Sequence, residues 1–291
     1  MANTIALKRR IGSVKNTRQI TKAMELVSAS KMRRAQEAAA SGRLYRQYAY
    51  SLLTRLSGIT EVEEHPLFQK RTVKTRLYII VTSNSGLAGA YNANIIRMLT
   101  KLIIADEKAG ITSQVVAIGK KGAQFARNVK AIDLIAAYTE IGDQPDANDI
   151  RPILNTAAEL YRDKTVDDVV LLYTQFKSNL VQEATQLNLL PARFETTDES
   201  AAEPIANSTF EPSIEAVLEG VTERLLEVQV YQAMLESVAS EHSMRMLAMK
   251  NATDNASDII SDLTLEFNTA RQAAITQELA EITGGAEAIQ Q

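Results

Sequence analysis

Apolar positions recur with helical spacing at both ends of the chain and with strand-like spacing in the middle. In the first segment, apolar or small residues step by three and four, which is the spacing of one helix face. They are Leu7, Ile11, Val14, Thr17, Ile20, Met24, Val27, Ala35 and Ala38. The last segment repeats this spacing from Ile214 to Ala274, with Ser213 as a candidate cap and Gly284-Gly285 as a candidate end. Long helices are therefore predicted over about 1–60 and 211–285.

The middle segment changes to short apolar runs that alternate with helix-like stretches. The predicted strands are 77–82, 114–118, 129–134, 168–173 and 184–190, and the predicted helices are 90–108, 120–127 and 146–163. This alternation indicates a Rossmann-like α/β domain over 74–195. We expect a partly parallel sheet whose last two strands are adjacent and antiparallel.

The prolines separate these segments. All six lie between Pro66 and Pro212, so both ends lack the strongest helix breaker. A helix over 213–283 would measure on the order of 100 Å, whereas a compact chain of this length is about 50 Å across. The last helix must therefore project and needs a partner along its length. We expect a fold that combines the α/β domain with a long antiparallel coiled coil of the two terminal helices.

The charge is segregated in the same way as the prolines. Residues 1–46 carry eleven Lys or Arg against Glu25 and Glu37, whereas residues 211–291 carry fourteen acids against four basic residues. Opposite charge makes the two ends suitable partners. An ordinary helical bundle remains an alternative, as does nucleic-acid binding by residues 8–46, although no aromatic residue interrupts that basic run before Tyr45.

The sequence predicts no catalytic, cofactor or metal site. It contains no Cys, and His65 and His242 are the only histidines. His242 lies in the apolar stripe and is predicted to be packed. The turn Ser83–Asn92 joins a strand to a helix through two glycines but lacks the spacing of a phosphate-binding loop, which favours a tight structural turn. No stretch resembles a membrane span or an export signal.

Three stretches resemble the gamma subunit of F-type ATP synthases. They are KNTRQITKAMELVSASKMRRA (Lys15–Ala35), the turn TSNSGLAGAYN, and a C-terminal pair, VYQAMLESVASEHSMRMLAMKNATDNA and FNTARQAAITQELAEITGGAEAI. The turn is similar to the family pattern Ser-Asx-x-Gly-Leu-x-Gly-x-x-Asn. Asn84, Ser85, Ala88 and Tyr91 depart from residues common in the family there. The resemblance spans essentially the whole chain.

The resemblance implies a non-catalytic subunit of an ion-transporting ATP synthase. In that family the subunit is the central rotor stalk, which couples ion flow through a membrane ring to ATP synthesis or hydrolysis at beta-subunit sites. The implied partners are the alpha and beta subunits, the epsilon subunit and the membrane ring of c subunits, at the cytoplasmic face of a bacterial inner membrane. The alternative function is a coiled-coil adaptor or nucleic-acid-binding protein.

The resemblance also implies residues that contact the beta subunit. Arg271 and Gln272 are expected to hydrogen-bond a beta-subunit loop, with Thr276 nearby. Met24 and Lys22 are similar to the region that faces the acidic lever loop of beta, and Arg245 lies in the facing helix. Spacing alone instead favours interpreting Met24 as a residue of the coiled-coil stripe.

Overall fold

The computed structural model describes residues 2–56, 66–130, 132–192 and 214–290. The cap predicted at Ser213 and the segment 196–212 lie outside these residues. The elements are α1 (Ala2–Leu56), β1 (Thr75–Val81), α2 (Tyr91–Ala109), β2 (Thr112–Ile118), α3 (Lys120–Asn128), β3 (Asp133–Tyr138), α4 (Ala147–Arg162), β4 (Asp168–Phe176), β5 (Gln182–Leu190) and α5 (Ile214–Gln290). In the described part of the chain, none of the helices is long and apolar enough to cross a membrane.

The chain divides into two compact units. Residues 1–28 and 245–291 form one, called the helical unit below, and residues 29–244 form the other, called the sheet unit.

The sheet unit is built on one mixed sheet with the strand order β3-β2-β1-β4-β5. The first four strands of that order are parallel and β5 is antiparallel to β4. The prediction of a partly parallel sheet with an antiparallel last pair is confirmed. Parallel strands with helices on both sides are buried on both faces, which explains the near-continuous apolar runs in β1, β2 and β4.

Alternating side chains of the sheet fill two cores. Leu77, Ile79 and Val81 of β1 pack with residues of α4 and α5, whereas Tyr78 and Ile80 pack with residues of α2 and α3. The period of two along the strand therefore supplies both layers. An Asp146–Asp149 capping box starts α4, since Asp146 accepts the backbone N–H groups of Asn148 and Asp149.

The third strand differs from its predicted position. We expected it over 129–134, but β3 covers Asp133–Tyr138. Val129 and Ile132 are instead joined by a backbone hydrogen bond in the turn after α3, and both pack into the core beside α2 and α3. The apolar side chains of Val129 and Ile132 serve packing in the turn, while the alanine-rich β3 carries a weak strand signal.

The helical unit is a pair of helices whose seam combines hydroxyl, small and larger apolar residues. Thr253 Oγ1 lies 2.8 Å from Thr21 Oγ1. In the sheet unit, Ala35 of α1 packs against Val238 and Ala239 of α5. The partner number in α5 falls as the residue number in α1 rises, so the two helices run antiparallel and the predicted fold class is confirmed.

The seam of α5 alternates steps of three and four, as in coiled coils. Its buried members in the helical unit include Met249, Ala256, Ile260 and Leu263. The helix continues through the glycine pair at 284–285 to Gln290, so the predicted end at that pair is wrong. Glycine inside a helix costs only about 1 kcal/mol, and no proline follows.

The seam of α1 is displaced from the predicted stripe after Val14. The buried positions that follow are Thr21, Ser28, Met32 and Ala35, whereas Ile20 and Val27 are 61% and 54% exposed. A coiled-coil seam needs steps that alternate between three and four residues. The predicted steps from Ile11 through Val14 and Thr17 to Ile20 are all of three residues, so these positions rotate away from the partner helix. The prediction that Thr17, Ile20 and Val27 line the seam is therefore wrong.

Candidate partner-contact surface

All six predicted contact residues lie in the helical unit. Arg271, Gln272 and Thr276 are exposed on α5, within a little over one turn. Lys22 is exposed on α1 and its Nζ donates to Glu25 Oε1 at 3.0 Å. The exposed trio therefore presents a cation, an amide and a hydroxyl, which suit polar recognition of a partner.

Met24 and Arg245 are less accessible than the other four. Met24 is half-buried, and its carbonyl accepts the Ser28 hydroxyl at 2.7 Å. Arg245 is buried and has contacts within the chain. The coiled-coil interpretation of Met24 and its partner-facing interpretation are both compatible with half-burial.

Large apolar side chains cover the outside of the helical unit, and sequence reasoning had placed several of them in the seam. The exposed members are Ile5, Ile20, Leu26, Val27, Leu247, Ile259, Leu265, Ile275, Leu279 and Ile282. The side chain of Leu265 is 71% exposed. An extended apolar surface of this kind is typical of a protein that is covered by partners. Exposure was hidden from the sequence because it depends on which face α1 and α5 turn toward each other.

The turn Ser83–Asn92 is held by its own hydrogen bonds. Asn92 accepts the Ser83 backbone N–H and donates to Ser83 Oγ, at 3.0 and 2.7 Å. Asn84 donates to the Ile141 carbonyl and accepts the Lys120 N–H, at 2.8 and 3.0 Å. These bonds use groups that a phosphate would need, which supports the structural interpretation of the turn.

The neighbouring turn after β2 needs glycine for a close backbone approach. Gly119 has a φ of 93°, and a Cβ there would lie 2.1 Å from the Thr82 carbonyl oxygen. Its N–H donates to the Tyr138 carbonyl at 2.8 Å. The glycines around Lys120 and Lys121 therefore serve backbone packing between β1, β2 and β3 rather than ligand binding.

Helix α5 crosses the carboxyl ends of β1 and β4 in the sheet unit, where α/β sheets commonly bind ligands. Ser237 Oγ lies 2.7 Å from Tyr91 Oη, and Ser240 donates to the Thr174 carbonyl at 3.1 Å. A Cβ on Gly89 would touch the Met244 carbonyl at 3.7 Å. The chain's own helix thus occupies the crevice that a nucleotide would use.

His242 lies beside an Asp143–Lys31 ion pair that sequence reasoning missed. It is buried, as predicted, but its Nε2 lies 3.2 Å from Asp143 Oδ1, and Lys31 Nζ donates to Asp143 Oδ2 at 2.6 Å. The interactions with His242 and then Lys31 hold the pKa of Asp143 well below its usual range, against the opposing effect of partial burial. The cluster joins α1, α5 and the loop after β3. No sequence signal links these residues, because they are far apart in the chain.

A second ionic network lies at the opposite end of the strands. Arg76 binds both Asp106 and Asp168, and Asp106 also accepts the Tyr78 hydroxyl at 2.6 Å. Burial and the Asp106 contact raise the pKa of Tyr78 far above its ordinary value. This network ties α2 and β4 to β1. In the described residues, no group of three His, Cys, Asp or Glu side chains is placed to hold a metal ion.

Comparisons with known proteins agree along the whole chain. A family model described as ATP synthase matches residues 3–289. The ATP synthase gamma chain of Roseiflexus castenholzii is 43% identical over 291 residues, which cover 99% of this chain and 99% of that protein. The ATP synthase gamma chain of Moorella thermoacetica is 41% identical over 289 residues, covering 99% and 100%.

Solved structures share the fold. A chain of the Euglena gracilis mitochondrial ATP synthase in rotational state 3 aligns with a TM-score of 0.70 at 18% identity, covering 99% of this chain and 95% of that one. A chain of the central stalk and c-ring of the Tetrahymena thermophila mitochondrial enzyme aligns with a TM-score of 0.58 at 24% identity, covering 80% and 99%.

Proposed function

The chain belongs to the gamma-chain family of ATP synthases, and we propose that it works as the central rotor stalk that couples ion flow through a membrane ring to ATP synthesis or hydrolysis. It is a subunit of the enzyme complex and not itself catalytic. The catalytic sites then belong to beta subunits, and this chain acts on them by contact alone.

The exposed apolar surface of the helical unit carries this proposal. Burying a side chain such as Leu265 or Leu279 contributes about 1.5–3 kcal/mol, so the surface favours a partner that encloses the helices. We propose that this partner is the hexamer of alpha and beta subunits. In a free chain, the large apolar residues on the outer faces of the two helices stay in contact with water and contribute no such stabilisation.

The asymmetry of the helix pair suits a rotor. A shaft that presents a different face to each of three equivalent sites can bias those sites only through differential contact energy. One charge that crosses about 100 mV yields about 2.3 kcal/mol, so several translocations must be combined for each ATP. The helices must therefore transmit torque without unfolding, and the absence of proline from both helices favours this.

We propose direct beta-subunit contacts for the exposed residues Arg271, Gln272, Thr276 and Lys22. Met24 contributes through the part of its side chain that remains accessible. Arg245, which is buried, is proposed to reach beta only where the partner approaches the seam closely. The remaining proposed partners are the epsilon subunit and the c-ring, at the cytoplasmic face of a bacterial inner membrane.

The experiment replaces exposed apolar residues with glutamine in the full chain. The double variant Leu265→Gln/Leu279→Gln should keep the circular dichroism spectrum and Tm of the free chain, because both side chains are exposed. Its assembly with alpha and beta subunits, and coupled ATP synthesis, should fall at least tenfold. Ile104→Gln is the matched control, since Ile104 is an exposed apolar residue of α2 in the sheet unit.

Two results would contradict the proposal. One is wild-type assembly and synthesis by the double variant. The other is normal coupled synthesis by a chain that lacks residues 211–291. A probe attached to this chain in a complex with alpha and beta subunits should rotate when ATP is added, which measures the rotor function directly.

A further inference from the structure

Three serines on one face of α5 form hydrogen bonds with other elements of the sheet unit rather than with the backbone of their own helix. Ser237, Ser240 and Ser243 are spaced three residues apart, and each is fully buried at 0% exposure. Serine hydroxyls inside helices commonly return to a carbonyl of the preceding turn. Ser257 and Ser261 of the same helix do so, donating to the carbonyls of Thr253 and Ser257 at 3.0 and 3.1 Å.

Ser237 and Ser240 bind both backbone groups of one strand residue. The Thr174 N–H donates to Ser237 Oγ at 3.3 Å, and Ser240 Oγ donates to the Thr174 carbonyl at 3.1 Å. The pairing of β4 with β1 ends at Leu172, whereas its pairing with β5 continues through Thr174. The two serines therefore take the place of the missing neighbouring strand beyond the end of β1.

Burial makes these bonds necessary. Thr174 is fully buried, so water cannot satisfy its backbone groups if a serine is lost. Two further contacts flank the pair: Tyr91 Oη lies 2.7 Å from Ser237 Oγ, and Ser243 Oγ donates to the Asn179 carbonyl at 3.0 Å. The serine face thus joins α5 to the start of α2, to β4 and to the β4–β5 hairpin.

The hydrogen bonds of these serines restrict rotation of α5 about its axis, which apolar packing does not. Many of the other contacts of α5 in the sheet unit are apolar, through residues such as Leu226, Val230 and Met234. The helix also forms ion pairs with the exposed Arg151 and Arg162 and contacts Asp143 through His242. Apolar contact is non-directional, whereas a hydrogen bond weakens steeply when the donor angle departs from linearity. A helix held only by apolar contacts can turn about its axis by small steps. The bonds to Thr174 oppose such a turn and fix the register along the axis.

We propose that Ser237 and Ser240, called the serine clip, pass rotational load between α5 and the sheet, a role that rests on the rotor function proposed above. They are positioning residues, since they hold α5 and touch no reacting group. Loss of the clip leaves the contacts of the helical unit with its partners intact, but α5 yields at the sheet when it is driven against a load.

The test uses the full chain assembled with its partner subunits in sealed vesicles. For Ser237→Ala/Ser240→Ala we expect ATP hydrolysis within twofold of wild type, and the ratio of ion uptake to hydrolysis at least threefold lower. The ratio should fall further as the opposing ion gradient is raised. A variant that is merely less stable would yield fewer complexes and lower both rates together.

Matched variants isolate the clip. Ser257→Ala/Ser261→Ala removes two hydroxyls from the same helix that bind only their own helix, and it should keep the wild-type ratio. Ser240→Thr keeps the hydroxyl and should restore most of the ratio that Ser240→Ala loses. Ser240→Ala alone removes one bond and serves if the double variant does not assemble.

Hydrogen exchange at the Thr174 amide reports the clip itself. We expect exchange at least tenfold faster in Ser237→Ala/Ser240→Ala than in wild type. Unchanged exchange would overturn the clip, and faster exchange with an unchanged ratio of uptake to hydrolysis would overturn its load-bearing role. If the wild-type chain supports no coupled uptake, the rotor function itself fails, which is a separate outcome.

Discussion

At the scale of single residues, the sheet unit depends on polar side chains that bridge distant parts of the chain. Asp143 contacts Lys31 and His242, which belong to α1 and α5. The Asp143 carboxylate therefore contributes more to the free energy of unfolding than the carboxylate of an aspartate without such contacts. Partial exposure of Asp143 limits the effect, because solvent screens the charges.

Replacing Asp143 with Asn should make stability less dependent on pH. We expect the free energy of unfolding at pH 7 to be about 1 kcal/mol lower for the variant than for wild type. The effect is no larger because the Asp143 side chain is 39% exposed and solvent screens its charge. The folded-state pKa of Asp143 lies below its unfolded value of about 3.9. The stabilisation is thus present above about pH 4 and is lost as the pH falls from there towards the folded-state value.

Urea unfolding of wild type and variant at several pH values measures this difference. The gap between the two curves should shrink steadily below about pH 4. Asp258→Asn, at an exposed position of α5, is the control and should show little gap at any pH. A gap that stays constant down to pH 2 would refute the ionic role of Asp143.

At the scale of elements, α1 leaves several of its large apolar residues on the outside of the helical unit. The seam of α1 contains Thr21, Ser28 and Ala35, while Ile20 and Val27 face away from α5. Small seam residues let two helices approach closely. Ile20 and Val27 remain exposed, so in α1 a stripe chosen by hydrophobicity alone follows the wrong face.

A proline in the exposed face of α5 should break the element without altering the seam. Asn255→Pro removes a backbone donor and clashes with the preceding turn, which costs about 3 kcal/mol in a helix interior. We expect a lower helical signal by circular dichroism and at least a tenfold loss of coupled ATP synthesis. Asn255→Ala keeps the helix and should show near-normal synthesis.

The effect of a helical proline should also distinguish the two ends of the chain from its middle. Pro152 already lies inside α4 of the sheet unit, at an exposed position. Normal synthesis by Asn255→Pro would mean that the helical unit transmits no torque through that turn.

At the scale of the whole molecule, the two units differ in how their buried surface is distributed. The sheet unit has a core on each face of its sheet. The helical unit relies on one narrow seam and leaves its outer apolar face exposed. Local stability follows buried contacts, so the free chain should open first in the helical unit.

Hydrogen exchange of the free and assembled chain tests this difference. In the free chain, amides in residues 250–283 should exchange at least tenfold faster than those of β1, β2 and β4. Assembly with alpha and beta subunits should slow exchange in 250–283 and leave the strands nearly unchanged. Equal protection of both regions in the free chain would contradict the proposed need for a covering partner.

Much of the architecture was predictable because it depends on local pattern. The strands β1, β2 and β4 lie within two or three residues of their predicted limits, since apolar runs mark buried parallel strands. The antiparallel β5 lies within two residues of its predicted limits. The strand β3 was misplaced because its signal is alanine-rich. The proposed contact residues Arg271, Gln272 and Thr276 came from family resemblance, and spacing alone did not identify them.

The sequence by itself determined the helix-strand-helix order, the antiparallel pairing of the terminal helices and the family, because periodicity, proline placement and motifs are all carried by neighbouring residues. Tertiary structure decided which face of each helix is buried, and it created the Asp143 cluster and the serine clip. Those features join residues more than 60 positions apart. Such contacts depend on where two elements meet in space, which a local pattern does not encode.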